Sequence, residues 1–326
     1  MKWEKNTSSS LFNSVIVAYA IVVADEIGLL ESLNSNKTID LIDFCSKNKI
    51  QEYPFRIFCD ALSTFEILSI SRNNISKGNN FIEIFSNKGY FIWLLKGYSY
   101  TLENMGLLLR AKTLQVSNVK RRGDFIAKSG KDYGKNFVDS YFNETFKKVN
   151  PKSVVDFGCG SADRLISIVK NNNDIKCIGI DINLDAVEVA RQNVKNAGLE
   201  NNIEIICADV NTLTYDQRFN NIDTMFCFFM GHDLWPKENC FNIFSNFNKV
   251  FPNAINFLLC DTYRSEENQL NKPIFTLGFE LTHAFMGQLI PTYSDWTKLF
   301  GDLNWKLLEN IDVGIPYSTI FKLRIK

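Results

Sequence analysis

Val154-Val155-Asp156-Phe157-Gly158-Cys159-Gly160-Ser161-Ala162-Asp163-Arg164-Leu165 reads as a buried β-strand, a tight glycine turn and the first turn of a helix. Pro151 and Ser153 open the strand, and two adjacent valines fill its middle. Gly158 and Gly160 carry no Cβ, so the backbone can pass close to a ligand. A helix that begins near Ser161 turns its free N–H groups and positive dipole end toward that ligand. Alone, the turn is a weak signal. It lacks the third glycine of a dinucleotide fingerprint and the Gly-Lys-Ser/Thr of a P-loop.

Its context is stronger. Twenty-one residues after Gly160, Asp181 closes the strand-like run Lys176-Cys177-Ile178-Gly179-Ile180-Asp181. An acidic residue at the end of a second strand suits hydrogen bonding to ribose hydroxyls. Asp209 follows in Cys207-Ala208-Asp209-Val210, where it fits a ligand contact or a plain turn and cap residue. Together these features resemble the motifs of the class I S-adenosylmethionine (SAM) methyltransferases. A nicotinamide enzyme is the other reading of the glycine loop. The resemblance implies SAM as cofactor, held by Asp156, Gly158, Gly160, Asp181 and Ile182, Asp209 and Val210, and Phe228. The pair Tyr133-Gly134, just upstream, is placed to close over the methionine end.

Around this stretch the pattern alternates. Strands are expected at 153–157, 176–181, 203–207, 222–228 and 255–261, and helices at 162–171, 184–197, 236–249 and 274–287. Such alternation argues for an α/β, Rossmann-like parallel sheet covered on both faces. Asn304 to Val313 and Ser318 to Ile325 read as a terminal antiparallel pair, as in class I methyltransferases. Ligands of such sheets lie outside the carboxyl ends of the strands. That rule puts Asp156, Gly158, Gly160, Asp181 and Asp209 in one crevice.

The first part of the chain is mostly helical, and the division falls at 1–125 and 126–326. Thr38 or Asp40 caps a helix that ends near Lys47, and Tyr53 to Phe65 forms a second. Ile67 to Ser71 and Asn80 to Phe85 read as short strands joined by the polar loop Arg72 to Asn79. Helix, helix, hairpin is a winged-helix pattern, and such modules bind DNA or pair subunits. Here the presumed recognition helix carries Arg56 as its cation, with Asp60 beside it. A winged-helix-like module before a SAM domain resembles the dimerisation domain of small-molecule O- and C-methyltransferases, which implies a homodimer. The helix before it, with Val15 to Ala24 largely apolar, runs on through Leu30; Asn13, Ser14 and Tyr19 interrupt it. It suits burial in a partner subunit better than a signal peptide or a membrane span. Gly89 to Arg110 is a further apolar helical region, and Phe137 to Val149 is a helix leading into the SAM domain. The basic run Lys120-Arg121-Arg122 is either a solvated turn or a clamp for an anionic substrate.

Composition agrees with a globular enzyme. The 326 residues are 45% hydrophobic, with 27 phenylalanines and a net charge of +0, so no strongly basic nucleic-acid footprint exists. Eight cysteines are scattered without a CxxC pair, which suggests reduced core residues and a cytoplasmic protein.

Two histidines are present, His232 and His283. His232 lies in Met230-Gly231-His232-Asp233-Leu234-Trp235-Pro236, directly after the strand expected at 222–228. His283 lies in the helical region after the strand expected at 255–261. Both regions border the crevice. Two imidazoles and a carboxylate suit one face of a metal ion and leave positions for a chelating ligand. His232 alone suits a general base. Trp93, Tyr98, Phe229 and Trp235 are candidates for shaping a substrate pocket. Gly231-His232-Asp233-Leu234-Trp235-Pro236 with the later His283 resembles the α-keto acid C-methyltransferases, which include phenylpyruvate and 2-ketoarginine methyltransferases of natural-product biosynthesis. That resemblance implies a metal ion held by His232, Asp233 and His283. It also implies a small-molecule α-keto acid methylated at C3 through a metal-stabilised enolate. Iron, zinc or nickel each suit it, since no redox change is needed. The rival is a metal-free O-methyltransferase in which His232 takes the proton of a hydroxyl. Neither reading requires nucleic acid or a membrane.

Overall fold

The computed structural model describes residues 8–115, 119–265 and 272–325. The chain forms two compact units. The first holds the described residues up to Glu103 together with Lys120–Asn136; the second holds those of Asn104–Val119 and from Phe137 onward. Residues 104–119 thus group with the second unit and 126–136 with the first, where the sequence alone suggests one boundary at 125.

The first unit is helical around a small sheet. Helices Ser8–Glu26, Leu29–Ser35, Leu41–Asn48, Glu52–Ser63, Phe81–Ile92 and Gly123–Tyr133 surround β1 (Thr38–Asp40), β2 (Leu68–Ser71) and β3 (Asn74–Lys77), in the order β1-β3-β2. Asp40 caps the third helix by accepting from Asp43 N at 2.9 Å. One expectation is corrected here. The second strand of the hairpin is Asn74–Lys77, inside the stretch that reads as a polar loop, and Asn80–Phe85 is helical from Phe81. Ile75 is the single apolar anchor of β3 and is fully buried. Phe81 and Phe85, four residues apart, stack at 5.7 Å, the contact that a helix makes and a strand does not. The apolar region expected as one helix over Gly89–Arg110 is broken by a π-turn at Trp93–Gly97 into shorter helices. Lys120, Arg121 and Arg122 are exposed, and Arg122 pairs with Asp124 at 2.9 Å.

Helix Ser8–Glu26 is long and apolar enough to cross a membrane by length and composition. One face, including Val17, Ala20, Ile21 and Ala24, is buried in the first unit's core. Its far end is fixed by charge, since Asp25 pairs with Lys88 at 2.5 Å and Lys128 at 2.6 Å. Leu11, Phe12, Val15, Ile16 and Tyr19 remain exposed on the other side.

The second unit is a seven-stranded sheet. Its strands are β4 (Ser153–Phe157), β5 (Lys176–Asp181), β6 (Ile203–Cys207), β7 (Thr224–Phe228), β8 (Asn256–Thr262), β9 (Lys306–Asp312) and β10 (Ser318–Arg324). The order is β6-β5-β4-β7-β8-β10-β9. β4 to β8 are parallel, and β10 runs antiparallel between β8 and β9. Every residue of β4, β7 and β8 is buried, as a parallel sheet covered on both faces requires. Helices Asp139–Val149, Asp163–Asn171, Leu184–Asn196, Lys237–Val250, Thr276–Phe285 and Tyr293–Asp302 accompany the strands. This is the Rossmann-like methyltransferase fold expected, with strand order reversing at β4. Seven of the eight cysteines are buried; Cys207 is exposed.

Candidate functional site

The glycine turn follows β4 as expected. Gly158 and Gly160 adopt φ of 73° and 52°, a region that costs glycine little. The N–H groups of Gly158 and Cys159 both donate to the Ile180 carbonyl, at 2.8 and 3.1 Å, which locks the turn to the end of β5. Asp181 closes the arrangement. Its Oδ2 accepts from Gly160 N at 3.0 Å and its Oδ1 from Asn183 N at 2.9 Å. Each carboxylate oxygen keeps a lone pair for a hydroxyl donor.

A cavity of about 350 Å³ opens here, lined by Gly158, Asp181, Asp209, Phe228, Met230 and Asp233 among others. Ile182 and Val210 also line it. Asp209 is a cap as well, because its Oδ1 accepts from Asn211 N at 2.9 Å. Asp156 sits beneath the loop, 2% exposed, and burial pushes its carboxyl up to about 7 despite the nearby charge of Arg164. Tyr133 belongs to the first unit, where it is stacked on Tyr90 at 5.9 Å. Trp93 and Tyr98 are buried neighbours there too, with ring centroids 4.4 Å apart. Trp235 packs edge-on against Trp296 at 5.3 Å, whereas Phe229 lines the cavity.

Sequence reasoning places His232, Asp233 and His283 at one cleft, and the structure brings them together. One donor atom from each lies within 4.8 Å of the others. His232 and Asp233 ride on the 3-10 turn Gly231–Leu234 after β7, and His283 on helix Thr276–Phe285. Both histidines are buried, and the Asp233 side chain is 38% exposed. The imidazoles meet edge to face, with centroids 5.0 Å apart.

Three partners that the sequence did not reveal set these groups. Asp261, at 0% exposure in β8, accepts from His232 N and His232 Nδ1, both at 2.6 Å, and from Thr262 N at 2.8 Å. His283 Nδ1 donates to the Phe279 carbonyl at 2.7 Å. Gln288 Nε2 donates to Asp233 Oδ1 at 2.6 Å. A carbonyl and a carboxylate only accept, so both rings carry the Nδ1 proton in the neutral form. The lone pair is then on Nε2. This is the arrangement in which histidines ligate metals, with Nδ1–H held by an outer acceptor.

The donor set fits a divalent cation. Imidazole and carboxylate ligands sit about 2.1 Å from zinc, so neighbouring donors lie about 3.0–3.5 Å apart around it. Closing the triad from donors up to 4.8 Å apart means drawing them in by roughly 1–2 Å.

The comparisons agree with the fold. Residues 148–280 match the family described as a methyltransferase domain. Methyltransferase ungE' of Aspergillus campestris is 30% identical over 334 residues, spanning 97% of this chain and 96% of that one. Indolepyruvate C-methyltransferase of Streptomyces griseus is 23% identical over 326 residues, spanning 98% and 94%. The crystal structure of human N-acetylserotonin methyltransferase in complex with SAM shares the fold, with a TM-score of 0.72, 12% identity and 99% coverage of both chains. A relative matched along its whole length, the shared fold and a glycine loop flanked by ordered carboxylates give one conclusion: the chain belongs to the class I SAM-dependent methyltransferases.

Proposed function

We propose that this enzyme transfers the SAM methyl group to C3 of an α-keto acid in natural-product biosynthesis, with a metal ion held by His232, Asp233 and His283. The observation that carries the reading is the convergence of these three side chains, each fixed by its own partner. Asp233 joins the two halves, since it also lines the cavity beside Asp181 and Asp209. The name of the Streptomyces griseus relative, a C-methyltransferase of indolepyruvate, an α-keto acid, supports this choice of acceptor.

A cation bound there supplies Lewis acidity to the acceptor's oxygens, which makes the C3 proton easier to lose. The protein's part is placement. Asp261 fixes the plane and tautomer of His232, and the Phe279 carbonyl does the same for His283. Gln288 holds Oδ1 of Asp233, which leaves Oδ2 for a ligand. Transfer is an in-line displacement, and holding C3 against the sulfonium methyl is what the crevice contributes. The exposed stripe Leu11, Phe12, Val15, Ile16 and Tyr19 suits a homodimer contact.

A second reading has its own support. The buried Asp261–His232 pair at 2.6 Å is also how a general base is oriented, as a metal-free O-methyltransferase would need. That mechanism gives His283 no task. Metal analysis of the purified enzyme, with product masses from keto acids and hydroxylated aromatics, separates the two. Methylation of keto acids that stops on chelation supports the first; metal-independent methylation of hydroxyls supports the second.

A further inference from the structure

A second recess, of about 300 Å³, lies in the second unit at the turn between β9 and β10. Tyr263, Asp312, Tyr317 and Ser318 are among its walls, and it shares no lining residue with the cavity beside Asp181. Two aromatic rings form a corner in it. Tyr263 leaves the end of β8, and its N–H donates to the Tyr317 carbonyl at 2.8 Å. The two rings then meet edge to face, with centroids 5.8 Å apart, and Tyr293 packs on the Tyr263 ring at 5.6 Å. Asp312, exposed at the end of β9, is the one charged side chain among the lining residues. Its Oδ1 accepts from Gly314 N at 2.8 Å, and Oδ2 stays open to a donor. Burial pushes the Tyr263 hydroxyl up and the charge of Asp312 adds to it, so the phenol stays neutral beside the carboxylate.

Several donors of this turn are spent within it. Ser318 N donates to the Ile315 carbonyl at 3.0 Å, and Ser318 Oγ lies 3.2 Å from the Pro316 carbonyl and 2.7 Å from Thr262 Oγ1. Thr319 Oγ1 donates to the Ile311 carbonyl at 2.8 Å, and Pro316 has no N–H. A carboxylate oxygen and the negative faces of two rings remain for a ligand. That set repels an anion and suits a cation with N–H donors and an apolar body. We propose that the recess binds a small alkylammonium ion, with its N–H donating to Asp312 Oδ2 and its alkyl carbons in the corner of Tyr263 and Tyr317. An ammonium suits the recess better than a guanidinium, because Oδ1 is already engaged and a bidentate fork would meet one open oxygen. The volume is at the lower end of small-molecule sites, which limits the ligand to a few carbons. The site lies outside the crevice, and the inference rests on neither the metal nor the keto acid.

Ligand-observed NMR titration of the intact enzyme tests it with butylammonium, butanol and butyrate, which share one chain and differ in charge. Butylammonium should bind saturably, and the other two at least about tenfold more weakly. Asp312→Asn should lower butylammonium affinity by about tenfold, the scale of one charge-assisted hydrogen bond. Tyr263→Leu should lower it by about fivefold, the scale of one cation–π contact. S-adenosylhomocysteine should bind both variants as it binds the wild type, which shows them folded, and should not displace the ammonium. Equal binding of the three compounds, no saturable binding of butylammonium, or undiminished affinity in Asp312→Asn overturns the proposal. So does displacement by S-adenosylhomocysteine, which would put the ion in the crevice instead.

Discussion

At the scale of single residues the candidate site is defined by what stands behind His232, Asp233 and His283. Asp261 makes three short contacts from a fully buried position, two of them to His232. Asp261→Asn removes the charge and offers an amide that can present a donor to Nδ1, which frees the ring to change tautomer. Outer partners of metal ligands are worth about 10–100-fold in metal affinity. A loss of that size is expected in competition titrations against a chelator. Gln288→Leu should cost about tenfold in the same titration by releasing Asp233. Asp156 gives a prediction in pH. Burial holds its carboxyl near 7, above the ordinary 3.8, so folding favours the protonated form. Its contribution to cofactor-free stability is therefore fully present below pH 3.8 and lost as pH rises through about 7. Thermal unfolding of Asp156→Asn should lack that share of the decline.

At the scale of elements, the turn Gly231–Leu234 carries His232 and Asp233 of the proposed metal site, and its Asp233 also lines the cavity. A Cβ on Gly231 would lie 2.7 Å from Asp261 Oδ2 and 2.8 Å from Leu259 Cδ1. Gly231→Ala should therefore destabilise the protein by about 1–3 kcal/mol and displace His232. A melting curve checks the first effect and metal titration the second. The same element shows what a sequence can carry. β4, β5 and β6 were legible to the residue because short buried runs alternate with amphipathic helices. His232 and Asp233 were legible because they stand just after β7, and His283 because it is the one other histidine, in the helical region after β8. Asp261 was not. It sits in Phe257-Leu258-Leu259-Cys260-Asp261-Thr262, which reads as a buried strand; an acid inside such a run was the signal available. Nothing in the sequence singles out Gln288, which reaches Asp233 across 55 positions. In the first unit, Asn74–Lys77 was lost as a strand because one isoleucine carries its burial, while Phe81-Ile82-Glu83-Ile84-Phe85 has the stronger β composition and is helical.

At the scale of the molecule, two expectations join. The exposed face of helix Ser8–Glu26 includes Leu11 at 65%, Phe12 at 71% and Val15 at 57%, adjacent apolar side chains of a kind that marks an interaction surface. The proposed homodimer predicts a wild-type mass by light scattering of twice the 37.4 kDa of one chain, and monomer for paired Val15→Lys and Ile16→Lys; a wild type of single-chain mass would contradict it. The exchange adds charge on an already exposed face, so the melting temperature of the monomer should change little. The central claim is that two histidines and an aspartate hold a metal ion that makes a keto acid the methyl acceptor. Its most direct test is product mass from a panel of α-keto acids, run with metal supplied and with metal removed, on the wild type and on His283→Ala. The account predicts a gain of one methyl group at C3 that disappears on metal removal and in His283→Ala. Full methylation in both cases, or methylation of hydroxylated aromatics alone, would contradict it.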